Sequence, residues 1–228
     1  MQAEFLAVEL SVVLINEVTG DEVRDLLIRL QSGTPLTAQQ VRDAWPGNVG
    51  PFIERLDGKG TRQGQYHTLF AAIDRRGSNG RSEDEYADPA LEGRQTCAQL
   101  LLLLLVKERG RGFLSLRSST LNDLYHENTE FDINGRVAHQ FEHLLGACQK
   151  VLSLRPQRES RKSVRKSRVF SLFLFLRFLS FSNVSFSRAI EPVSTLFWSG
   201  HAEENEPVGR VASADTLEKH FVWFVGSY

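Results

Sequence analysis

Cysteine is scarce. Cys97 and Cys148 are the two in 228 residues, and no paired CxxC or other metal-type cysteine spacing occurs. That removes cysteine-rich metal centres, and both thiols fall in apolar helical patterns suited to buried, reduced side chains of a cytoplasmic protein. A surplus of one charge is also missing: 27 basic and 28 acidic residues leave a formal net charge of −1. Attraction to nucleic acid or a membrane surface must therefore come from local patches. The apolar run Leu100–Val106 is seven residues long, far too short to span a bilayer. Residues 1–15 lack the basic start and cleavage site of a signal peptide. No Walker-type phosphate loop, dinucleotide fingerprint or glycine-x-serine-x-glycine nucleophile elbow is present, and Gly58, Gly60 and Gly64 read as a plain loop.

What is there is mostly helical patterning, and the chain is long enough to bury a substantial core. Glu9–Val18 is the best strand candidate, short, β-branched and bounded by Thr19-Gly20. Asp21 is a candidate N-cap for a helix with Val23, Leu26, Leu27 and Leu30 on its apolar face. That helix should stop at Ser32-Gly33. Thr37 should cap the next helix by accepting from Gln39 or Gln40 N–H, and Trp45-Pro46-Gly47 should end it.

Val49–Leu56 should be helical up to the breaker Asp57-Gly58-Lys59-Gly60, and Gln65–Arg75 helical with Tyr66, Leu69, Phe70 and Ile73 inward. Gln95–Arg109 is apolar on every side and belongs at the centre of a helical domain. A helix or turn starts near Asn122, Asn134-Gly135 breaks the chain, and Val137–Leu152 carries Phe141, Leu144, Leu145, Cys148 and Leu152 on one face. The polar segment 75–85 and the acidic one at Glu203–Glu206 read as loops, and Ala214–Phe224 is helix-like. The expected fold is mainly α, a helical bundle-like domain with one short strand or hairpin near the N-terminus.

Two stretches could carry chemistry. His139-Gln-Phe-Glu142-His143 puts two histidines at i and i+4 on one helix face, where they could bind one zinc while Glu142 polarises a water. This order resembles the zinc helix of inverse zincins, and Glu218 lies at about the distance where those enzymes place a third ligand. A zinc-dependent hydrolase with metal ligands His139, His143 and Glu218 is one reading. Two surface histidines beside an acid is the plainer one.

Arg155–Arg168 holds seven basic residues against one acid, Glu159, and leads into Val169–Phe181. The run is either a solvated turn feeding a core helix with Arg177 at its edge, a nucleic-acid patch, or the start of an interfacial membrane helix. As a patch it would use Arg158, Arg161, Lys162, Arg165, Lys166 and Arg168, and the chain would be a stand-alone nucleic-acid-binding module. Serines and Arg177 interrupt the apolar run, against a membrane role.

The string LLIRLQSGTPLTAQQVRDAWPGN, within Arg24–Asn48, resembles the signature of the N-terminal domain of GmrSD-type restriction enzymes. Weaker similarity continues through Leu121–Asp132. The resemblance implies kinship with ParB/sulfiredoxin-like nucleotide-binding proteins of bacterial defence, in which NTP and magnesium serve DNA restriction. The family's nucleotide motifs, a proline-x-tyrosine-glutamine-arginine segment and an aspartate-glycine-glutamine-glutamine-arginine segment, do not occur here, and neither does a histidine-asparagine-histidine nuclease signature.

On this reading residues 1–20 are the remnant last strand of an α/β nucleotide-binding part, with Leu10–Asn16 an edge strand short of partners. Residues 21–228 form a helical domain with flexible loops near 75–90 and 155–168. The implied function is a truncated relative of a nucleotide-dependent DNA restriction or phage-defence protein, acting as a helical scaffold or DNA-contact portion without catalysis of its own. It would bind no cofactor itself. Its partners would be DNA and either the missing N-terminal half or a nuclease subunit, with no membrane. Arg29, Gln31 and Arg42 are the polar residues the motif would place near a nucleotide, or else they satisfy backbone groups at the helix junction. Gln31 stands where the family commonly has asparagine.

Overall fold

The computed structural model describes residues 36–59, 62–73, 89–108, 115–156, 164–181 and 186–198, with 16, 18–20, 22, 23 and 26 ahead of them. These residues are mainly helical. Eight helices are present among them: α1 Ala38–Asp43, α2 Val49–Asp57, α3 His67–Ala71, α4 Pro89–Glu108, α5 Ser118–Glu127, α6 Arg136–Ser153, α7 Lys166–Phe181 and α8 Phe186–Trp198. A two-residue hairpin joins α2 to α3, with β1 Gly58–Lys59 antiparallel to β2 Arg62–Gln63. Its place is the stretch read from sequence as a bare breaker. The strand expected at Glu9–Val18, the loop at 75–85 and the helix at Ala214–Phe224 lie outside the described residues, apart from Asn16 and Val18.

Capping chemistry sets the helix starts. Before α1, Thr37 accepts from Gln40 N–H while the Gln40 side chain accepts from Thr37 N–H at 2.8 Å, a reciprocal capping box. The helix expected from Asp21 is capped two residues earlier. Thr19 Oγ accepts from Glu22 N–H, and the Glu22 carboxylate accepts from Thr19 N–H at 2.8 Å. That bond holds the Glu22 carboxyl below its ordinary value. Thr-Gly-Asp-Glu at 19–22 is itself a capping-box string, and Asp21, the cap expected from sequence, lies outside the described residues.

After α1 the chain reverses at Trp45-Pro46-Gly47, with Gly47 at φ 121°. A Cβ there would meet the Thr129 backbone at 2.7 Å, so only glycine fits both the left-handed backbone and the approach. Asn48 then donates its N–H to Thr129 O (2.9 Å) and its amide to Phe131 O (3.0 Å), bolting the turn to the α5–α6 connection.

Helix α4 is central because its run Leu100–Val106 has no polar side to turn to water. Leu100 to Val106 are all buried, and α1, α2, α3, α5 and α6 each pack against it. Helix α6 organises the second half in contact with α3, α7 and α8, its buried face made by Phe141, Leu144, Leu145, Cys148 and Leu152. A line of aromatic contacts joins the halves: Phe52 to Phe141 (6.1 Å between centroids) and Phe141 to Phe173 (5.8 Å). A parallel bridge between Ile73 and Val164, with Val164 N–H on Ala72 O at 2.9 Å, ties the end of α3 to the lead-in of α7.

Helix α8 was not expected from sequence. Its stripe Ala189, Val193 and Phe197 is buried, and Pro192, exposed, stands inside it. An interior proline ordinarily costs roughly 3 kcal/mol. Packing of the stripe outweighs that here. Among the described residues no helix is long and apolar enough to cross a membrane.

Candidate functional site

Three residues of the family-like string, Gln39, Arg42 and Asp43, meet at a buried polar seam between α1, α4 and α5. Arg42 is wholly buried. Its Nε donates to Gln39 Oε1 at 3.0 Å, and its Nη1 donates to Ser118 Oγ at 3.0 Å and Asn122 Oδ1 at 3.4 Å. Gln39, also buried, donates to Asp43 Oδ1 (2.8 Å) and to the Tyr125 hydroxyl (3.1 Å). Asp43 completes the chain by pairing with Arg94 of α4. One side of α1 thus presents glutamine, arginine and aspartate inward, because positions 39, 42 and 43 share a helix face.

Burial sets the electrostatics. Desolvation pulls Arg42 below the ordinary arginine value, opposed by the fields of Tyr125 and Asp43. Desolvation also pushes the Tyr125 hydroxyl well up, so it stays neutral and serves as an acceptor for Gln39. Beside the seam, Asp57 closes the end of α2 against Gly93 of α4, where a Cβ would collide with the carboxylate. Cys97 lies in the same region, and burial with the Asp57 charge raises its thiol well above the ordinary value. Burial does the same to Cys148. Both are free, inert core thiols, as their apolar patterns implied.

Of the three residues the motif would place near a nucleotide, Arg29 and Gln31 lie outside the described residues. Arg42 does not line an open site. Its hydrogen bonds go to side chains, Gln39 on its own helix and Ser118 and Asn122 on α5. Trp45 packs on the core edge and meets His126 edge-on at 5.2 Å.

His139 and His143 are both exposed on α6, but Glu142 is ion-paired with Arg55 of α2. The backbone carbonyl of Glu142 accepts from Tyr66 at 2.9 Å, which packs this turn against α3. Glu218 lies outside the described residues, and among those described no group of three His, Cys, Asp or Glu side chains is placed to hold a metal ion.

The basic run divides. Arg158, Arg161 and Lys162 lie outside the described residues, and Arg165 is exposed. Arg168 is buried, its guanidinium bonded to Phe197 O and 4.6 Å above the Phe197 ring. It satisfies a C-terminal carbonyl of α8 and cannot belong to an exposed patch, a correction that follows from α7 starting at Lys166. Lys166 keeps some surface, but its ammonium is enclosed near the Phe170 ring at 5.8 Å, and desolvation lowers it to about 8 despite the Glu92 charge.

Sequence reasoning missed Asp43, Arg94, Ser118, Asn122 and Tyr125. The only sequence trace of the seam is the pairing of an acid with the arginine before it, Arg42-Asp43, on a helix whose other inward positions are polar. No family model, curated protein or solved structure matches the chain.

Proposed function

We propose that the chain is a helical scaffold and DNA-contact portion of a bacterial defence protein, related to the C-terminal part of the N-terminal domain of GmrSD-type restriction enzymes and without catalysis of its own. The observation that carries the scaffold half is how the family-like string is used. Thr37, Gln39, Arg42, Gly47 and Asn48 are committed to capping, to the buried seam and to the Thr129 junction. Side chains so engaged build a frame rather than a reaction centre. Exposed Arg165, next to the basic residues at 158–162, supports the DNA half. The working place of such a protein is the cytoplasm, and its partners are duplex DNA and a chain supplying nucleotide or nuclease chemistry.

The test is duplex DNA binding by fluorescence anisotropy across a salt series. A logarithmic slope near −0.9 per neutralised phosphate, reduced by about one unit in Arg165→Ala, is expected. Binding that is absent or independent of salt overturns the DNA half. NTP hydrolysis by the chain alone in the presence of magnesium overturns the non-catalytic half.

A further inference from the structure

A guanidinium taken fully out of water needs a counter-charge, because burying an unpaired cation costs several kcal/mol. Arg42 lies in the field of Asp43, but its hydrogen bonds go to the neutral Gln39, Ser118 and Asn122. Asp43, its neighbour, directs its two oxygens to Gln39 and Arg94. Arg42 also keeps one nitrogen, Nη2, buried with no hydrogen-bond partner. Buried orphan donors are rare enough to require a reason.

The guanidinium meets α5 at its first turn. Helix α5, Ser118–Glu127, is ten residues long, begins without any side-chain cap and has no acidic residue in its first turn. The N–H groups of that turn have no acceptor within the helix, and the macrodipole adds partial positive charge there. The turn is Ser118-Ser119-Thr120, preceded by Arg117; Arg117, Ser118 and Ser119 are exposed and Thr120 is half-buried. The hydroxyl of exposed Ser118 accepts from Arg42 Nη1 at 3.0 Å, so the buried guanidinium reaches the start of this turn. Two arginines, free backbone N–H groups and three hydroxyls around one helix start match what a phosphate group asks for.

We infer that the first turn of α5 binds a phosphate group, with Arg42 as the buried counter-charge behind it and Arg117 in front. The backbone N–H groups of Ser119 and Thr120 and the Ser118 hydroxyl take the oxygens, and Ser118 swings to open Nη2 to one of them. The ligand is inorganic phosphate or a phosphate monoester. This site does not depend on the DNA reading, which rests on other residues, Arg165 among them.

The experiment melts the full chain in potassium phosphate, in ethyl phosphate and in potassium chloride at matched ionic strength, with phosphorus NMR titrations alongside. Saturating phosphate should raise the melting temperature by about 5 °C over chloride. An equal response to ethyl phosphate assigns the site to monoesters, and a response to inorganic phosphate alone assigns it to the free ion; both support the site. Ser118→Asp places a carboxylate on Arg42, so this variant should melt higher without phosphate and lose the response. Arg117→Ala, on the surface, should keep the fold and weaken binding about 3- to 10-fold. No gain over chloride, or an undiminished response in Ser118→Asp, overturns the inference.

Discussion

Arg42 Nη1 lies 3.0 Å from Ser118 Oγ, joining two helices 76 positions apart in the chain. This contact lets the short helix α1 hold its place, since six residues form too little helix to stand alone.

The Asp43 carboxylate neutralises Arg94 and lies in the field of Arg42, so the two ends of the seam are not equivalent. Asp43→Asn should destabilise by about 3–5 kcal/mol, because buried Arg94 loses its ion-pair partner and Arg42 loses a nearby negative field. Arg42→Met, which removes a charge and fills the space, should cost less, roughly 1–3 kcal/mol. Urea unfolding of both variants measures the order.

Lys166 titrates near 8 in the fold against an ordinary value of 10.5. The unfolded chain therefore binds more protons between these values, and the contribution of Lys166 to stability rises with pH across that window. Below about pH 8 the folded protein carries the whole cost of an enclosed ammonium. Lys166→Met should stabilise the protein at pH 7 by about 1–3 kcal/mol, with the gain fading by pH 10. Thermal melts at the two pH values provide the comparison.

Gly47 meets the Thr129 backbone in a left-handed conformation. Gly47→Ala should cost about 2 kcal/mol or more from strain and displacement together. Thr37→Ala, which removes only an exposed cap, should cost about 1 kcal/mol. The gap between them, read by chemical denaturation, separates a junction from a helix end.

Both thiols are buried and raised in pKa, so neither Cys97 nor Cys148 should react with a thiol reagent in the native state. Two equivalents should react on unfolding. Metal analysis of the same preparation should find no stoichiometric zinc, and His143→Ala should leave that result unchanged.

Where periodicity was strong, the sequence was readable. The apolar faces of α2 and α6 and the all-round apolar α4 lie where their spacing put them, and Thr37 caps α1 as its chemistry implies. Two local signals were outvoted by stronger-looking neighbours. The reciprocal Thr19–Glu22 capping pair was passed over for Asp21, which lies outside the described residues. Pro192 hid the Ala189–Val193–Phe197 stripe, although the packing on α6 and α7 tolerates it.

The seam was legible on one side only. Arg42 stood out within its string, but Arg94, Ser118 and Tyr125 lie 51, 76 and 86 positions from their partners on α1, which are Asp43, Arg42 and Gln39. Such pairings belong to tertiary structure. A single chain of letters carries no register for them.

The central place of α4 has a practical meaning for a divided chain. A cut within 74–88 would leave α1, α2 and α3 on one fragment and α4 with α5 and α6 on the other. Each fragment would display a wide greasy surface that the other was shaped to cover, so neither should stay in solution by itself. Produced together they should find one another and co-purify, rejoined through Leu100–Val106 and fastened by the Ile73–Val164 bridge.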